Sequence, residues 1–345
     1  MNGVGSTHTS VVVIGAGPAG IDVALRLHRI GVPMILLEGS ELAATIRDWP
    51  PGTKMFSPQE RVAVGDLPFP PELANREHLT REQYVHYLGA AVRDAGLSVL
   101  TRHKVASILR DGSGFTVGAR PQGHESEATH IHCDHVVFAT GCMHAPVVLG
   151  VPGENQPFVR NLPGLDFDAV KSGSVCVIGG RHSAVEASLR FVEGGSTVTL
   201  VYRRKQLFRA AIKSWLYDEV TQRIEEGRIR FLGSTDVSAF GNDGQVFLHS
   251  STAGAREEIH CDLALVACGF TYDAGLLGAV GVTVSDRSPH LNASTLESNV
   301  RGVFVVGTAV AGQQQSGYTH DIDNVSGHGA IVANEIYRRL GSQQS

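Results

Sequence analysis

The chain has 345 residues, enough for two domains of about 100–200 residues each, so a sizeable core needs no disulfide staples. Glycine accounts for 40 residues, but no Gly-X-Y period accompanies it, which excludes a collagen-like fibre. A content of 42% hydrophobic and 18% charged residues excludes a disordered chain. The net charge of −5 offers no general attraction to nucleic acid or to an anionic membrane.

The cysteines and the N-terminus bear on the cellular compartment. The five cysteines are Cys133, Cys142, Cys176, Cys261 and Cys268. They are too few and too irregular for a disulfide framework, and no Cys-x-x-Cys pair occurs. The first apolar run, residues 11–14, is too brief for a signal peptide, and no stretch approaches the roughly 18 apolar residues of a membrane span. The sequence therefore predicts a soluble, cytoplasmic protein.

A dinucleotide-binding pattern opens the chain. An apolar run at residues 10–14 suits a buried parallel strand and breaks into a Gly-x-Gly-x-x-Gly turn at residues 15–20. Residues 21–30 have helical spacing, and a second predicted strand at residues 34–37 ends on Glu38. Strand, glycine turn, helix, strand and acidic terminus together form the βαβ unit that binds dinucleotides.

Each residue of this first turn has a predicted task. Gly15 permits the sharp turn, Gly17 lets a pyrophosphate approach the backbone, and Gly20 lets the helix pack closely on the strand. The helix N-terminus offers unpaired N–H donors and a positive dipole to the phosphates. Glu38 can accept hydrogen bonds from ribose hydroxyls.

The same pattern recurs in the second half of the chain. Residues 174–184 again form a β-branched strand, a glycine turn and a helix start. The position that matches Glu38 is Tyr202, and it is followed by Arg203 and Arg204. Loss of the acid and gain of two guanidiniums favour a 2′-phosphate, and hence NADPH over NADH.

The second turn departs from the first because Arg181 replaces the middle glycine. Its side chain stands where a pyrophosphate would approach, so it either helps to bind phosphate or weakens nucleotide binding, and the sequence leaves both open. The other residues of this turn that we predict to bind NADPH are Gly179, Gly180, His182 and Ser183.

The halves match again downstream, where residues 131–141 resemble residues 259–269. Each copy follows a β-rich stretch with turn signals. One module with an acidic ribose position and one with a basic ribose position make a functional pair. The first is suited to a tightly bound FAD and the second to a soluble reductant.

These motifs resemble those of flavoproteins with two dinucleotide-binding domains, in the compact thioredoxin-reductase-like branch. The resemblance is carried by residues 15–20, Ala139-Thr140-Gly141, Gly179-Gly180 with Ser183-Ala184, and residues 302–307. It implies an α/β fold of two Rossmann-like, three-layer ββα domains. The implied FAD domain, residues 1–148 and 272–345, is split by an inserted NADPH domain, residues 149–271. We also expect a homo-oligomer, such as a dimer.

Within that branch the chain is most similar to the YpdA-type bacillithiol-disulfide reductases. The shared segments are residues 50–57 with 65–69, 212–215, 227–230, and 311–312 with 322–324 and 328–329. Ala19 stands where that group places a cysteine, and Thr308 replaces the acid that commonly follows Gly307 in flavoproteins. Thioredoxin reductases carry a Cys-x-x-Cys pair that this chain lacks. The resemblance therefore transfers FAD and NADPH binding, but not a cysteine-mediated disulfide step.

The resemblance also indicates site residues near the flavin. The predicted FAD contacts beyond the first turn and Glu38 are Ala19, Phe56, Val105, Thr140, Gly141, Gly307 and Thr308. In related flavoproteins the N-terminus of the last helix points at the flavin, and His320 and His328 lie there as candidate proton donors, since imidazole titrates near neutral pH. Cys142, directly after Gly141, is the cysteine we expect nearest to the cofactor.

The sequence favours an NADPH-dependent FAD oxidoreductase whose acceptor is a low-molecular-weight disulfide or another small molecule. Three alternatives remain open: a single-component FAD/NADPH monooxygenase, an electron-transfer reductase for ferredoxin or another protein, and a non-catalytic redox sensor. A metal site at the histidines of residues 130–135 is not expected, because successive side chains of a strand point to opposite faces.

Overall fold

The structure is a computed structural model that describes residues 7–74, 76–112, 114–124, 128–170, 173–252, 254–285, 288–310 and 326–342. The chain divides into two compact units. Unit 1 comprises Met1–Arg47, Gly52–Cys142 and Tyr272–Ser345, and unit 2 comprises Asp48–Pro51 and Met143–Thr271. None of the helices in the described residues combines the length and the apolar composition that a membrane-spanning helix requires.

The strands and helices are named in chain order across both units. They are β1 Thr7–Ile14, α1 Pro18–Arg29, β2 Met34–Leu37, α2 Ala44–Arg47, β3 Lys54–Met55, α3 Gln59–Val62, β4 Leu79–Thr80, α4 Arg81–Asp94, β5 Val99–Leu100, β6 His103–Asp111, β7 Gly114–Pro121, β8 Thr129–Phe138, β9 Val159–Asn161, β10 Ser174–Ile178, α5 His182–Glu193, β11 Thr197–Tyr202, α6 Ser214–Glu225, β12 Ile229–Gly233, β13 Thr235–Phe240, β14 Gln245–Ser250, β15 Arg256–His260, β16 Leu263–Val266, α7 Gly275–Ala279, β17 Val284–Ser285, β18 Ser288–Pro289, β19 Val303–Val305 and α8 His328–Ser342. Short 3₁₀ helices span Phe167–Val170, Arg209–Ala211 and Gly307–Val310.

Unit 1 is built around a parallel sheet in the strand order β5-β2-β1-β8. The far edge of β8 pairs in parallel with β19 and antiparallel with β7, which continues to β6. On one face of β1, Val12 and Ile14 pack into a core shared with Val105 and Phe115 of the antiparallel strands. Val13 is also fully buried, which explains why β1 is apolar without alternation.

Unit 2 has a parallel five-stranded sheet in the order β12-β11-β10-β16-β9, and β13, β14 and β15 form an antiparallel meander. Alternate residues of β10 face opposite layers. Val177 packs among residues of α5 and α6, whereas Cys176 packs against Phe240 and Leu248 of the meander. This arrangement is the three-layer ββα architecture, and the predicted α/β fold class is confirmed.

The two units repeat one local geometry where their first strands end. The Gly15 N–H donates to the Leu37 carbonyl at 2.7 Å, and the Gly179 N–H donates to the Val201 carbonyl at 3.0 Å. In both units the strand that pairs with the first strand on its other side ends beside this turn. The carboxyl edge of each parallel sheet therefore presents a glycine turn, a helix N-terminus and a neighbouring strand end.

Candidate cofactor-binding sites

The first glycine turn is shaped by close backbone packing. Gly15 has a φ of +103°, and a Cβ there would lie 2.6 Å from the Ala139 carbonyl oxygen. A Cβ on Gly20 would collide with the Gly15 carbonyl oxygen. Gly17 caps α1, and a Cβ built on it would meet nothing within 4 Å, so space is open beside the helix N-terminus. The predicted roles of these three glycines agree with their surroundings and stay predictions of ligand contact.

Glu38 is held directly at this turn. Its Oε2 accepts a hydrogen bond from the Ala16 N–H at 2.8 Å, and its Oε1 accepts one from the Ser40 N–H at 2.9 Å. The carboxylate is therefore fixed at the carboxyl end of β2, where a dinucleotide ribose would need an acceptor. Val105 lies in the neighbouring strand β6, whose first residue, His103, donates its N–H to the Glu38 carbonyl at 2.8 Å.

A second group of predicted residues meets at the start of the 3₁₀ helix Gly307–Val310. A Cβ on Gly141 would lie 3.5 Å from the Thr308 Oγ1, and a Cβ on Gly307 would lie 2.7 Å from the Ala19 Cβ. The Gly307 N–H donates to Nδ1 of His328 at 3.3 Å. The structure thus brings together the end of β8, the N-terminus of α1 and the N-terminus of α8, as flavin binding by these residues would require.

His328 is buried at the first residue of α8. Burial lowers its pKa to about 4, because the apolar surroundings disfavour the charged imidazolium. The expectation that this imidazole titrates near neutral pH is wrong. Its Nδ1 accepts a hydrogen bond, so its Nε2 carries the proton and can donate as a neutral group. His320, the other predicted proton donor, lies outside the described residues.

The remaining predicted flavin-side residues occupy less central places. Thr140 and Cys142 flank Gly141 after β8, where Cys142 is half-buried. Phe56 follows β3 and packs its ring edge-on against His78, with 4.8 Å between the ring centroids. The predicted FAD contact of Phe56 stays a prediction that comes from the resemblance.

The second glycine turn has the same backbone and different side chains. A Cβ on Gly179 would lie 2.5 Å from the Ala267 carbonyl oxygen, just as a Cβ on Gly15 would lie close to the Ala139 carbonyl oxygen. A Cβ on Gly180 would collide with the ring of Tyr202, so this ring occupies the place that corresponds to the Glu38 carboxylate. Arg181 caps α5 with extended backbone, φ −111° and ψ −176°, and its side chain is exposed.

The basic residues of unit 2 lie at the carboxyl end of β11. Arg203 and Arg204 are both exposed there, directly after Tyr202. His182 and Ser183 form the first turn of α5, and Ser183 lines a cavity together with Ala267. The structure therefore places an anion-binding helix N-terminus and two guanidiniums along one edge of the sheet.

Comparisons with known proteins agree with this geometry. Residues 12–307 match the family described as pyridine nucleotide-disulphide oxidoreductase. The chain belongs to this family. It is an FAD-dependent oxidoreductase, and the predicted cofactors, FAD and NADPH, are confirmed.

Among the relatives of this oxidoreductase is bacilliredoxin reductase Bdr of Bacillus subtilis (strain 168), 29% identical over 337 residues that cover 95% of this chain and 97% of that protein. A ferredoxin–NADP reductase of Ignicoccus hospitalis is 25% identical over 299 residues, 86% of this chain and 88% of that protein. The solved structure of bacillithiol disulfide reductase Bdr (YpdA) from Bacillus cereus superposes with a TM-score of 0.87 at 24% identity, covering 96% of this chain and all of that one.

Both turns of the oxidoreductase fit the dinucleotides that the family uses. In unit 1 the open space beside Gly17 and the fixed Glu38 carboxylate suit the pyrophosphate and ribose of FAD. In unit 2 the exposed Arg203 and Arg204 suit the 2′-phosphate of NADPH. Arg181 presents its exposed guanidinium at the N-terminus of α5, where phosphate charge is attracted.

Most cysteine thiols of the oxidoreductase are unsuited to catalysis. Cys133, Cys176 and Cys261 are buried in the cores of the two units. Burial raises the pKa of Cys133 to about 12 and that of Cys261 to about 11, and it also raises the pKa of Cys176. Cys142 is half-buried and Cys268 is exposed, so these two are the accessible thiols.

One candidate escaped prediction from the sequence. Asn161 ends β9 at the same sheet edge as the second glycine turn, and no motif marks it. Its Oδ1 is buried without a hydrogen-bond partner among the residues that the structure describes. Only the position of a polar residue at the carboxyl end of a parallel strand could have indicated it beforehand.

Proposed function

We propose that this protein transfers electrons from NADPH through FAD to a low-molecular-weight thiol disulfide of the bacillithiol-disulfide type. The observation that carries the proposal is the similarity to bacilliredoxin reductase Bdr over nearly the full length of both chains. Reduction of one disulfide consumes one NADPH and one proton and yields NADP⁺ and two thiols. FAD supplies the hydride and electron chemistry when it is bound.

The residues of unit 1 would hold FAD. The N–H groups at the N-terminus of α1, beside Gly17, would bind its pyrophosphate, and Glu38 would accept hydrogen bonds from its ribose. Thr308, close to Gly141, would donate its hydroxyl where many relatives place an acid. His328 would fix the Gly307 backbone and present a neutral Nε2–H without changing charge during turnover.

The residues of unit 2 would bind and orient NADPH. The N-terminus of α5 and Arg181 would attract its pyrophosphate, while Arg203 and Arg204 would pair with its 2′-phosphate. We also propose that unit 1 is the FAD domain and unit 2 the inserted NADPH domain. Unit 2 ends at Thr271, the boundary expected from the sequence, but it begins at Met143, before the expected boundary at residues 148/149, and it also includes Asp48–Pro51.

The chain has no Cys-x-x-Cys pair, so reduction of the disulfide substrate cannot use the dithiol relay of thioredoxin reductases. Cys142 is the accessible thiol beside Gly141, and we propose that it acts in this step. Cys142→Ser should then abolish disulfide reduction while NADPH still bleaches the flavin. Cys268→Ser is the matched control, since Cys268 is accessible but belongs to unit 2.

The test of the proposed function is anaerobic turnover of the flavin-loaded enzyme with NADPH and a panel of acceptors. We expect low-molecular-weight disulfides to be consumed with two thiols formed per NADPH, as measured by thiol titration and absorbance at the NADPH band. Turnover that requires oxygen would instead indicate a monooxygenase. Flavin that NADPH does not bleach would contradict any reductase and support a sensor.

A second candidate, an electron-transfer reductase, is favoured by the similarity to a ferredoxin–NADP reductase and by the burial of three cysteines. The same panel includes ferredoxin. Reduction of ferredoxin with no thiol released from any disulfide would replace the first proposal with this one.

The cellular context stays a proposal as well. We propose a cytoplasmic enzyme that works as a homo-oligomer, such as a dimer, on a small-molecule acceptor. Light scattering of the purified protein tests the oligomeric state, and fractionation of the source cells tests the cytoplasmic location.

A further inference from the structure

One carboxylate of unit 1 joins three separate segments of the chain. Asp22 lies in the second turn of α1, and its side chain is only 14% exposed. Its Oδ1 accepts a hydrogen bond from the Gly65 N–H at 2.6 Å and another from the Arg26 Nε at 3.0 Å. Its Oδ2 lies against Gly329, in the first turn of α8. Asp22 therefore connects α1 with the loop after α3 and with the beginning of α8.

The contact between Asp22 and α8 is too close for any residue but glycine. A Cβ on Gly329 would collide with the Asp22 Oδ2 and would lie 3.1 Å from the Val23 nitrogen. The residue before it, His328, is buried, and its Nδ1 accepts a hydrogen bond from the Gly307 N–H. The first turn of α8 is thus fixed by two contacts, one from His328 to Gly307 and one from Gly329 to Asp22.

The loop on the other branch of this connection has an uncommon backbone. Gly65 and Asp66 both have a positive φ, +58° and +56°. The preceding Val64 N–H donates to the Tyr87 hydroxyl at 3.0 Å, and the Gly65 N–H donates to Asp22. Burial raises the pKa of Asp22, because desolvation disfavours its charged form. A carboxylate at this place costs hydration that an apolar side chain would not lose, and its hydrogen bonds offset that cost.

We propose that Asp22 is a positioning residue of the FAD site, which holds the first turn of α8 so that His328 keeps its buried orientation beside Gly307. The inference rests on the proposed assignment of FAD to unit 1. Without the Asp22 side chain, the first turn of α8 loses one of its two contacts and the imidazole becomes accessible to water. FAD affinity and the titration of His328 should therefore change together. The charge of Asp22 is not required, because burial alone lowers the pKa of His328.

The test measures both properties in the flavin-loaded enzyme. Recovery of FAD fluorescence on dilution gives the dissociation constant, and the Cε1–H signal of His328, identified by its loss in His328→Gln, gives the titration. In the unaltered enzyme this signal should stay constant from pH 5.5 to 8. Asp22→Ala should release FAD about tenfold more readily, and its His328 signal should titrate within that range. Asp22→Asn keeps the Oδ1 acceptor and should behave like the unaltered enzyme.

Asp66→Asn is the matched control for the Asp22 variants. Asp66 is exposed and pairs with the same Arg26, and asparagine tolerates the left-handed backbone, so this variant should change neither property. Gly329→Ala disturbs the contact from the side of α8 and should reproduce the effects of Asp22→Ala, which keeps the test valid if Asp22→Ala does not fold. In the double variant the two effects on FAD release should not add, because both remove one contact.

The outcomes separate the role of Asp22 from the placement of FAD. Unchanged FAD release and a constant His328 signal in Asp22→Ala would overturn the inference, and so would an Asp22→Asn variant that behaves like Asp22→Ala. A titrating His328 with unchanged FAD release would overturn the assignment of FAD to unit 1, and with it the cofactor role of Asp22.

Discussion

The glycine turns of units 1 and 2 share a backbone but differ in every side chain that would meet a ligand. Gly15 and Gly179 occupy equivalent positions, each against a carbonyl oxygen of the neighbouring strand end. In the first turn the Ala16 N–H donates to the Glu38 carboxylate. In the second turn the ring of Tyr202 packs on Gly180 at the matching position. The two turns thus share one backbone geometry, and we expect the side chains at the end of the second strand to set the nucleotide preference of each turn.

The sharpest structural difference between the turns is at the third glycine position, which is Gly20 in unit 1 and Ala184 in unit 2. Gly20→Ala should destabilise the protein by about 3 kcal/mol, because the new Cβ would collide with the Gly15 carbonyl. Flavin content after purification and urea unfolding measure the loss. Ala184→Gly is the control and should cost less than about 1 kcal/mol. Full flavin retention in Gly20→Ala would contradict the predicted need for glycine at the third position of the first turn.

The ligand difference between the turns is tested at Arg203 and Arg204. The double variant Arg203→Ser/Arg204→Ser should lower the ratio of NADPH to NADH efficiency in flavin reduction by about 10- to 100-fold, since two charge-assisted contacts to the 2′-phosphate disappear. Stopped-flow flavin bleaching measures both nucleotides. Arg228→Ser removes another exposed arginine of unit 2 and should change neither rate. Equal reduction by NADH and NADPH before mutation would contradict the assigned role.

Unit 1 should be sensitive to acid because it buries His328. The folded pKa of about 4 lies below the ordinary value of 6.5, so the unfolded chain binds the proton first as the pH falls. The free energy of unfolding is therefore highest above pH 6.5 and falls as the pH approaches 4. At pH 5, His328 lowers it by about 2 kcal/mol. Urea unfolding from pH 5 to 7.5 should show a smaller pH slope in His328→Gln, and the exposed His290→Gln should keep the original slope.

The smallest effect is expected at the matched cysteines of the two halves, Cys133 and Cys261. Cys261→Ala should leave disulfide reduction within about twofold, because the high pKa of the buried thiol keeps it from acting as a nucleophile. Alkylation of the native protein followed by mass spectrometry should modify Cys142 and Cys268, with Cys133 and Cys261 modified only after unfolding. Rapid native labelling of Cys261 would show that the core of unit 2 opens.

Much of this architecture could be predicted from the sequence because it is encoded by local spacing. The apolar runs before Gly15 and Gly179, and the acid or arginines after the following strand, lie within about 30 residues of one another, the length of one βαβ unit. The expectation of a near-neutral pKa for His328 is wrong because the pKa is lowered by burial. That burial depends on packing between α8 and residues far away in the chain.

The sequence by itself determined the two dinucleotide turns, their opposite charge and the absence of a dithiol pair, since each follows from residue types at fixed short separations. Only the tertiary structure decided that Glu38 accepts a hydrogen bond from Ala16, that Thr308 lies beside Gly141, and that the Asn161 oxygen is buried with no hydrogen-bond partner in the described part of the chain. These contacts join strand ends that are distant in sequence and meet only because parallel strands end at one edge of a sheet.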